Sequence, residues 1–319
     1  MLLNIVLLIV GFVVLVLGAD WLVDGASGLA KRLNVPDLVI GLTIVAFGTS
    51  APELVVNLMA AIEGSSEIAL TNILGSNIVN VLVILGVSAA IYPIASQRSS
   101  RRFDIPMSIA AGLAILLLGT ECFGAWGSDW QVSRLDGVIL LLIFGLFMYH
   151  SVKEAKRGAN QSAESFKAMA VWKALLLIVV GIGFLVVGGE LIVRSAVAMA
   201  AAWGVPESVV GVTIVAIGTS LPELATSAVA AFKHNSDLAL GNVIGSNIFN
   251  VFFVLGVSAV IRPLPAYPNL PVDAALAAGC CALVWLFVGT NRRHEIKRWQ
   301  GTVLLLCYGV YLAWLLTTI

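Results

Sequence analysis

Two glutamates stand inside long apolar stretches of the chain, each in the same short motif. Gly-Thr-Ser-Ala-Pro-Glu ends at Glu53, and Gly-Thr-Ser-Leu-Pro-Glu ends at Glu223. An ionised carboxylate at the centre of a bilayer costs at least about 2.5 kcal/mol, so such a residue usually has a function or a partner. The neighbouring hydroxyls belong to Thr49, Ser50, Thr219 and Ser220, and no His or Cys stands beside them. Hard oxygen donors without nitrogen or sulfur favour Na⁺ or Ca²⁺ over zinc or copper.

A proline lies inside each of these two motifs. Pro52 and Pro222 each lack a backbone N–H, and each ring clashes with the carbonyl four residues earlier, so both helices are predicted to break. Irregular backbone at membrane depth is tolerated only where it is buried in protein or lines a cavity. The freed carbonyls would add further hard oxygen ligands beside each glutamate.

A second polar segment also occurs twice. Gly-Ser-Asn-Ile begins at Gly75 and again at Gly245, and each copy is followed by one further asparagine, Asn80 or Asn250. Ser76 and Asn80 lie four residues apart and share one helix face, as do Ser246 and Asn250, so each copy offers a second polar wall. Asn77 and Asn247 point elsewhere and are expected to hold helices together. The alternative for all of these small polar residues is ordinary transmembrane helix packing.

The elements that carry these motifs are membrane helices. Of 319 residues, 60% are hydrophobic and 11% are charged, and the mean hydropathy is +1.01. A soluble domain could not cover itself with so little polar surface. Uncharged stretches of about 20 residues recur from end to end, which predicts an all-α polytopic membrane protein with about ten transmembrane helices, broken at helices 2 and 7.

The chain is an internal duplication. The block that starts at Gly41 returns at Gly211, an offset of 170 residues, and the same offset relates the two Gly-Ser-Asn-Ile segments. We predict a first half at residues 1–152, a linker at 153–171 and a second half at 172–319. With five helices in each half, an odd number, the second half enters the membrane from the opposite face, which is an inverted repeat.

The positive charges predict the orientation. Ten alternating helices place fifteen of the 18 Lys and Arg residues on one side and only Arg134, Arg194 and Arg262 on the other. The positive-inside rule makes the rich side cytoplasmic, with both termini outside and the loop between helices 5 and 6 inside. We expect a multi-pass protein of the plasma (inner) membrane. Asp20, Asp24, Glu190 and Arg194 are interpreted as structural, the last two as an ion pair one helical turn apart.

The paired Gly-Thr-Ser-x-Pro-Glu and Gly-Ser-Asn-Ile-x-Asn segments resemble the α-repeats of the cation/Ca²⁺ exchanger superfamily, in its Na⁺/Ca²⁺ exchanger branch. The resemblance covers nearly the whole chain. It implies secondary active transport of Na⁺ and Ca²⁺ without a cofactor. Only about 20 residues separate helices 5 and 6, too few for the large cytosolic Ca²⁺-sensing insert of animal relatives, which indicates a minimal prokaryotic type.

The resemblance also implies which residues bind the ions. Glu53 and Glu223, with Thr49 and Thr219, would bind Ca²⁺. Flanking Na⁺ sites would use backbone carbonyls near Ala46 and Ala216 and the hydroxyls of Ser50, Ser76, Ser220 and Ser246. Asn80 and Asn250 match the central positions, where potassium-dependent members, and some others, carry Asp in the second repeat, so Asn250 argues against K⁺ dependence.

Other functions remain as alternatives at this stage. A buried carboxyl can carry a proton, which makes H⁺/Ca²⁺ exchange the nearest rival. A passive cation channel would also place carboxylates and carbonyls on a pore axis. An intramembrane enzyme is disfavoured because no His-Glu-x-x-His pair or serine elbow appears. Mn²⁺ and Mg²⁺ stay open as cargo, a monomer is expected to suffice for transport, and no nucleic-acid partner is expected.

Overall fold

A computed structural model describes residues 2–64, 66–118, 131–157, 169–203 and 216–318. The described chain is almost entirely helical. The unbroken helices are α1 Leu2–Leu33, α6 Arg134–Arg157, α7 Val171–Ala202, α11 Leu270–Thr290 and α12 Arg298–Thr318. The two broken helices are α2 Asp37–Thr49 with α3 Ala51–Glu63, and α8 Ala216–Thr219 with α9 Leu221–Phe232.

Four helices contain a π-helical segment, in which the backbone hydrogen bonds reach one residue further than in an α-helix. In α2 this segment is Gly41–Val45. The other three helices are α4, formed by Ser66–Val79, Asn80–Ile84 and Leu85–Ile91; α5, formed by Ser100–Asp104 and Ile105–Leu118; and α10, formed by Ser236–Ile248, Phe249–Leu255 and Gly256–Ile261. Because a π segment adds a residue to one turn, it rotates all side chains that follow it.

Six of the described helices are long and apolar enough to cross a membrane, and the bent pair of α2 and α3 makes a seventh. They include Leu3–Leu33 of α1 and Val171–Ala202 of α7, which are the first helices of the two halves. The total of ten spans stays a prediction, because the start of the predicted seventh span lies in 204–215, outside the described residues. Most of the predicted linker, at 158–168, lies outside them as well.

Both predicted helix breaks are present. The chain bends by 49° between α2 and α3. Ser50 leaves helical geometry at φ −83° and ψ 11°, and Ser220 does so at φ −89° and ψ 6°. Pro52 and Pro222 then fall in the first turn of α3 and α9, where a missing N–H costs no helical hydrogen bond. The prediction of broken second and seventh helices is confirmed.

The two halves interlock through short strands that the sequence did not reveal. Strand β1 (Ile94–Ala95), after α4, pairs antiparallel with β4 (Glu295–Ile296), before α12. Strand β3 (Leu264–Pro265), after α10, pairs with β2 (Gln131–Val132), before α6. The last helix of each half therefore packs on the third transmembrane helix of the other half, α12 on α4 and α6 on α10. A Cβ atom on Gly301 would lie 2.6 Å from the Gly86 carbonyl oxygen, and one on Gly137 would lie 2.7 Å from that of Gly256.

Helices α1 and α7, the first of each half, run antiparallel along a seam of glycines. A Cβ atom on Gly181 would lie 2.8 Å from the Gly18 carbonyl oxygen, and one on Gly188 would lie 2.8 Å from that of Gly11. As the residue number increases along α1, the number of the residue it contacts on α7 decreases. Equivalent helices that run in opposite directions agree with the predicted inverted repeat.

The contacts of this helix pair with the rest of the protein are not symmetric. Helix α1 packs along α9, and Lys233 at the end of α9 forms ion pairs with Asp20 (2.7 Å) and Asp24 (2.6 Å). By the repeat, α7 corresponds to α1 and α3 corresponds to α9. Within the described residues, however, α7 makes no contact with α3 comparable to that of α1 with α9. Arg194 instead pairs with Glu190 on its own helix, and their side chains are 79% and 55% exposed. The predicted Glu190–Arg194 pair is confirmed.

Candidate functional site

The two helix breaks meet the π-helical segments of α4 and α10 in the interior of the protein. The polar side chains predicted for the site are buried here: Thr49, Ser50, Glu53, Ser76, Asn80, Ser220, Glu223, Ser246 and Asn250. Four of them lie on α4 and α10, the most buried of the long apolar helices, and the others lie at the two helix breaks. The sequence therefore places a polar cluster where lipid cannot reach it.

Each glutamate is held by a hydroxyl of the other repeat. Ser50 Oγ donates to Glu223 Oε1 at 2.7 Å, and Ser220 Oγ donates to Glu53 Oε1 at 3.3 Å. These serines are the residues at which the two helices break, so each break points its hydroxyl at the opposite carboxylate. The two motifs, 170 residues apart in sequence, thus form one site.

Further hydroxyls of the predicted set join the same cluster. The Thr219 side chain also lies beside Glu53, and those of Thr49 and Ser246 lie beside Glu223. Ser50 Oγ lies 3.0 Å from Ser246 Oγ, which connects the first break to α10. The structure therefore brings five of the six predicted hydroxyls to the two carboxylates, whereas Ser76 is buried on α4 without a hydrogen-bond partner among the described residues.

Four asparagines cross-link α4 and α10 beside the carboxylates. Asn77 Nδ2 donates to the Asn247 backbone oxygen, and Asn247 Nδ2 donates to that of Asn77, both at 3.3 Å. Asn80 Nδ2 then donates to Asn247 Oδ1 at 3.0 Å, and Asn250 Nδ2 donates to Asn77 Oδ1 at 3.2 Å. The prediction that Asn77 and Asn247 hold helices together is confirmed. They also engage the N–H groups of Asn80 and Asn250.

Several buried oxygens of the site have no hydrogen-bond partner among the described residues. They are Glu53 Oε2, Glu223 Oε2, Asn80 Oδ1, Asn250 Oδ1 and Ser76 Oγ. Buried polar atoms in native proteins almost always have a partner. No described Lys or Arg forms an ion pair with either glutamate. Two carboxylates and two amide oxygens left open together are the ligand chemistry of a hard cation.

The two alanine carbonyls predicted as ligands belong to the helices that lead into the breaks. The Ala46 oxygen accepts the Ser50 N–H at 3.0 Å and the Thr49 hydroxyl at 3.4 Å. It thus lies at the first break, beside Ser50 and Thr49. Ala216 begins α8, and its side chain is outside the described part of the chain. The role of both carbonyls as ion ligands stays a prediction.

Sequence reasoning missed two asparagines, Asn57 and Asn242, that bind the backbone of the glutamates. Asn242 Nδ2 donates to Ser227 Oγ (2.9 Å) and to the Glu223 backbone oxygen (3.3 Å), and its Oδ1 accepts from Thr49 at 3.1 Å. In the first half, Asn57 Nδ2 donates to the Glu53 backbone oxygen at 2.8 Å. The offset of 170 residues also relates Asn72 to Asn242 and Asn57 to Ser227, so the repeat itself contained the signal.

Comparison with known proteins agrees with this architecture. The family model for the sodium/calcium exchanger protein matches residues 3–153 and 173–317. The putative antiporter CaxA of Alkalimonas amylolytica is 36% identical over 323 residues, which is 97% of each chain. The sodium/calcium exchanger MaX1 of Methanosarcina acetivorans is 31% identical over 342 residues, again 97% of each chain.

A solved structure shares the fold over the whole length. The sodium-calcium exchanger NCX_Mj superposes with a TM-score of 0.84 at 32% identity, and the alignment covers 98% of both chains. The family consists of ion exchangers, not enzymes, and its members carry Na⁺ and Ca²⁺ without a cofactor. The resemblance seen in the two repeated motifs is confirmed. This multi-pass membrane protein belongs to the sodium/calcium exchanger family.

Proposed function

We propose that this chain exchanges Ca²⁺ for Na⁺ by alternating access, and that the two ions compete for Glu53 and Glu223. One observation carries the proposal: two buried carboxylates share one cluster, each has an oxygen without a partner, and no described basic side chain pairs with them. Membership of the exchanger family supports Ca²⁺ antiport. The names of MaX1 and NCX_Mj add Na⁺ as the coupling ion of those relatives.

The donor set is suited to both ions. We assign Ca²⁺ to Glu53 and Glu223 with the hydroxyls of Thr49 and Thr219, because two carboxylates neutralise one Ca²⁺ and Ca²⁺ takes six to eight oxygen ligands. We assign Na⁺ to the hydroxyls of Ser50, Ser76, Ser220 and Ser246, with the carbonyls of Ala46 and Ala216. Asn80 and Asn250 would supply neutral oxygens at the centre.

Charge explains why transport would be coupled. A carrier that closed over two ionised and empty carboxylates would hold them unpaired away from water, which is costly at membrane depth. Reorientation is therefore favoured only when Ca²⁺ or Na⁺ satisfies the site. The inverted halves provide two end states of similar energy, and the α1–α7 pair, packed on α9 and not on α3, is the part whose position would differ between them.

We place the protein in the plasma (inner) membrane with both termini outside and the loop between α6 and α7 in the cytoplasm, on the positive-inside rule. In this orientation Lys233 and its partners lie toward the cytoplasm, and Arg134 and Arg262 lie outside. The cluster is built within one chain, so a monomer would suffice for transport. We propose Ca²⁺ over Mn²⁺ and Mg²⁺, because Mg²⁺ keeps most of its water and demands strict octahedral geometry.

The test is uptake of radiolabelled Ca²⁺ into liposomes that contain the purified protein. Uptake should follow an outward Na⁺ gradient and should be absent with K⁺ inside or when the gradient is collapsed. Uptake driven by a pH gradient in Na⁺-free buffer would replace the proposal with H⁺/Ca²⁺ exchange. Unsaturable flux without any Na⁺ or pH gradient would indicate a channel. Mn²⁺ and Mg²⁺ as competitors in the same assay measure the cargo preference.

A further inference from the structure

Two basic segments meet at the strand pair β1–β4. Residues 96–102 follow β1, and residues 291–298 surround β4, so the antiparallel pairing brings them to one place. Together they hold seven cations and one acid, Glu295: the cations are Arg98, Arg101, Arg102, Arg292, Arg293, Lys297 and Arg298. We call this surface the basic seam. Nearly half of the fifteen cations predicted for this face of the membrane lie here.

Most cations of the basic seam are free to meet a ligand. Arg101 and Arg298 donate to backbone oxygens, of Ser96 and Ile91 respectively, so they hold the seam together. The other five cations are exposed, and none of them forms an ion pair within the described residues: Arg98, Arg102, Arg292, Arg293 and Lys297. So many like charges in one place repel each other unless an anion lies among them.

The fold itself does not require these charges. The pseudo-symmetric strand pair β2–β3 joins the halves in the same way on the opposite face. Residues 131–136 and 262–269 around it hold only Arg134, Arg262 and Asp136. Two equivalent seams, one strongly basic and one nearly neutral, show that the basic residues serve something other than the strand pairing.

Two tryptophans mark the depth of the basic seam. Trp285 and Trp299 are 46% and 58% exposed, and the Trp285 indole donates to the Arg101 backbone oxygen at 2.9 Å. Exposed tryptophans of membrane helices prefer the level of the lipid headgroups. The guanidinium groups that flank them therefore lie at the level of the lipid phosphates.

We propose that the basic seam binds an anionic phospholipid, with its phosphate among the exposed arginines and its acyl chains along α11 and α12. Guanidinium groups bind phosphate oxygens in a bidentate manner, and each cation near an anionic lipid surface strengthens the attraction. The lipid would tie α4 and α5 of the first half to α11 and α12 of the second.

The experiment is native mass spectrometry of the full chain, purified in a neutral detergent and incubated with phosphatidylglycerol, phosphatidylcholine or inorganic phosphate. Phosphatidylglycerol should be retained at least about tenfold more tightly than phosphatidylcholine, and salt should displace it. Inorganic phosphate at the same concentration should not compete. Equal retention of both lipids, or displacement by free phosphate, would overturn the proposal.

Matched variants separate the basic seam from general charge. Arg98→Gln/Arg102→Gln and Arg292→Gln/Lys297→Gln should each weaken retention of phosphatidylglycerol several-fold. Arg134→Gln/Arg262→Gln removes the same charge at the neutral seam and should behave as wild type. If one seam variant does not fold, judged by its unfolding temperature, the other carries the test. Equal loss in the control, or none in a folded seam variant, would refute a lipid site here and leave the cations as topology determinants.

Discussion

At the scale of residues, the site combines engaged and open oxygens. One oxygen of each glutamate accepts a serine hydroxyl from the other repeat, and the second oxygen has no partner among the described residues. The hydroxyls hold the carboxylates in place, while the open oxygens leave ligand positions for a cation. The same division applies to Asn80 and Asn250, whose Nδ2 groups are bonded and whose Oδ1 atoms are open.

The first prediction concerns the carboxylates. Glu53→Gln and Glu223→Gln should each abolish Ca²⁺ uptake by Na⁺-loaded liposomes, because one negative charge cannot neutralise Ca²⁺. Both variants should still fold, since an amide accepts the same serine hydroxyl without the cost of a buried charge. Glu63→Gln, at the exposed end of α3, is the matched control and should transport as wild type. Near-normal uptake by either site variant would remove that residue from the site.

The second prediction concerns an asparagine that is not itself assigned to an ion. Asn247→Leu removes the acceptor of the Asn80 amide and the donor to the Asn77 carbonyl. The free energy of unfolding should fall by about 1–3 kcal/mol, the usual cost of unpaired buried groups. The Ca²⁺ affinity should also fall, because the Asn80 amide loses the hydrogen bond that fixes the position of its Oδ1 atom. A loss of stability with unchanged Ca²⁺ binding would show that Asn247 serves packing alone.

Much of this site could be predicted from the repeated motifs. Glu53 and Glu223 stand out because charge is rare in membrane helices, and proline locates the breaks beside them. The contacts across the repeats could not be predicted, because a motif does not say which carboxylate its own serine faces. The π segments at Asn80 and Asn250 were also missed, since no residue type marks an extra residue in a helical turn.

At the scale of elements, small residues determine how α1 packs on α7, and one ion-pair cluster joins α1 to α9. The two helices approach so closely that glycine is required at five positions: Gly11, Gly18, Gly25, Gly181 and Gly188. Close glycine contacts of this kind are common between membrane helices, where packing replaces the hydrophobic effect. Asp20 and Asp24 of α1 then form ion pairs with Lys233 at the end of α9.

Two alanine substitutions on α7 separate packing from helix propensity. In Gly181→Ala the new methyl group would lie 2.8 Å from the Gly18 carbonyl oxygen, whereas in Gly183→Ala it meets no described atom within 4 Å. Gly181→Ala should lose about 1–3 kcal/mol to overpacking, partly offset by the better helix propensity of alanine. Gly183→Ala should be neutral or slightly stabilising. Unfolding temperatures in detergent give the comparison, and equal values would argue against a close α1–α7 seam.

The ion pairs of Lys233 predict a local effect. Lys233→Gln leaves Asp20 and Asp24 without their partner and should weaken the contact of α1 with α9 by about 0.5–1 kcal/mol, the usual value for partly exposed pairs. Hydrogen exchange should become faster in residues 20–33 of α1. Arg194→Gln breaks only a pair within α7 and is the control. Unchanged exchange in α1 would mean that apolar packing alone holds it.

At the scale of the whole molecule, the protein is a pair of inverted repeats whose pseudo-symmetry is broken by the packing of the α1–α7 pair. The strand pairs and the α1–α7 seam obey the pseudo-twofold relation, but α1 packs on α9 while α7 does not pack equally on α3. The helix pair therefore packs more on the second half than on the first in this structure. The inverted repeat could be predicted from an odd number of helices per half, but identical motifs cannot tell on which half the α1–α7 pair packs.

The measurement that tests the central claim most directly is equilibrium binding of radiolabelled Ca²⁺ to the purified protein at increasing Na⁺ concentration. We predict that Na⁺ raises the apparent Kd for Ca²⁺ without changing the number of sites, because both ions need Glu53 and Glu223. Glu223→Gln should show no saturable Ca²⁺ binding. Ca²⁺ binding that is insensitive to Na⁺, or that persists unchanged in Glu223→Gln, would contradict a shared site at these two glutamates.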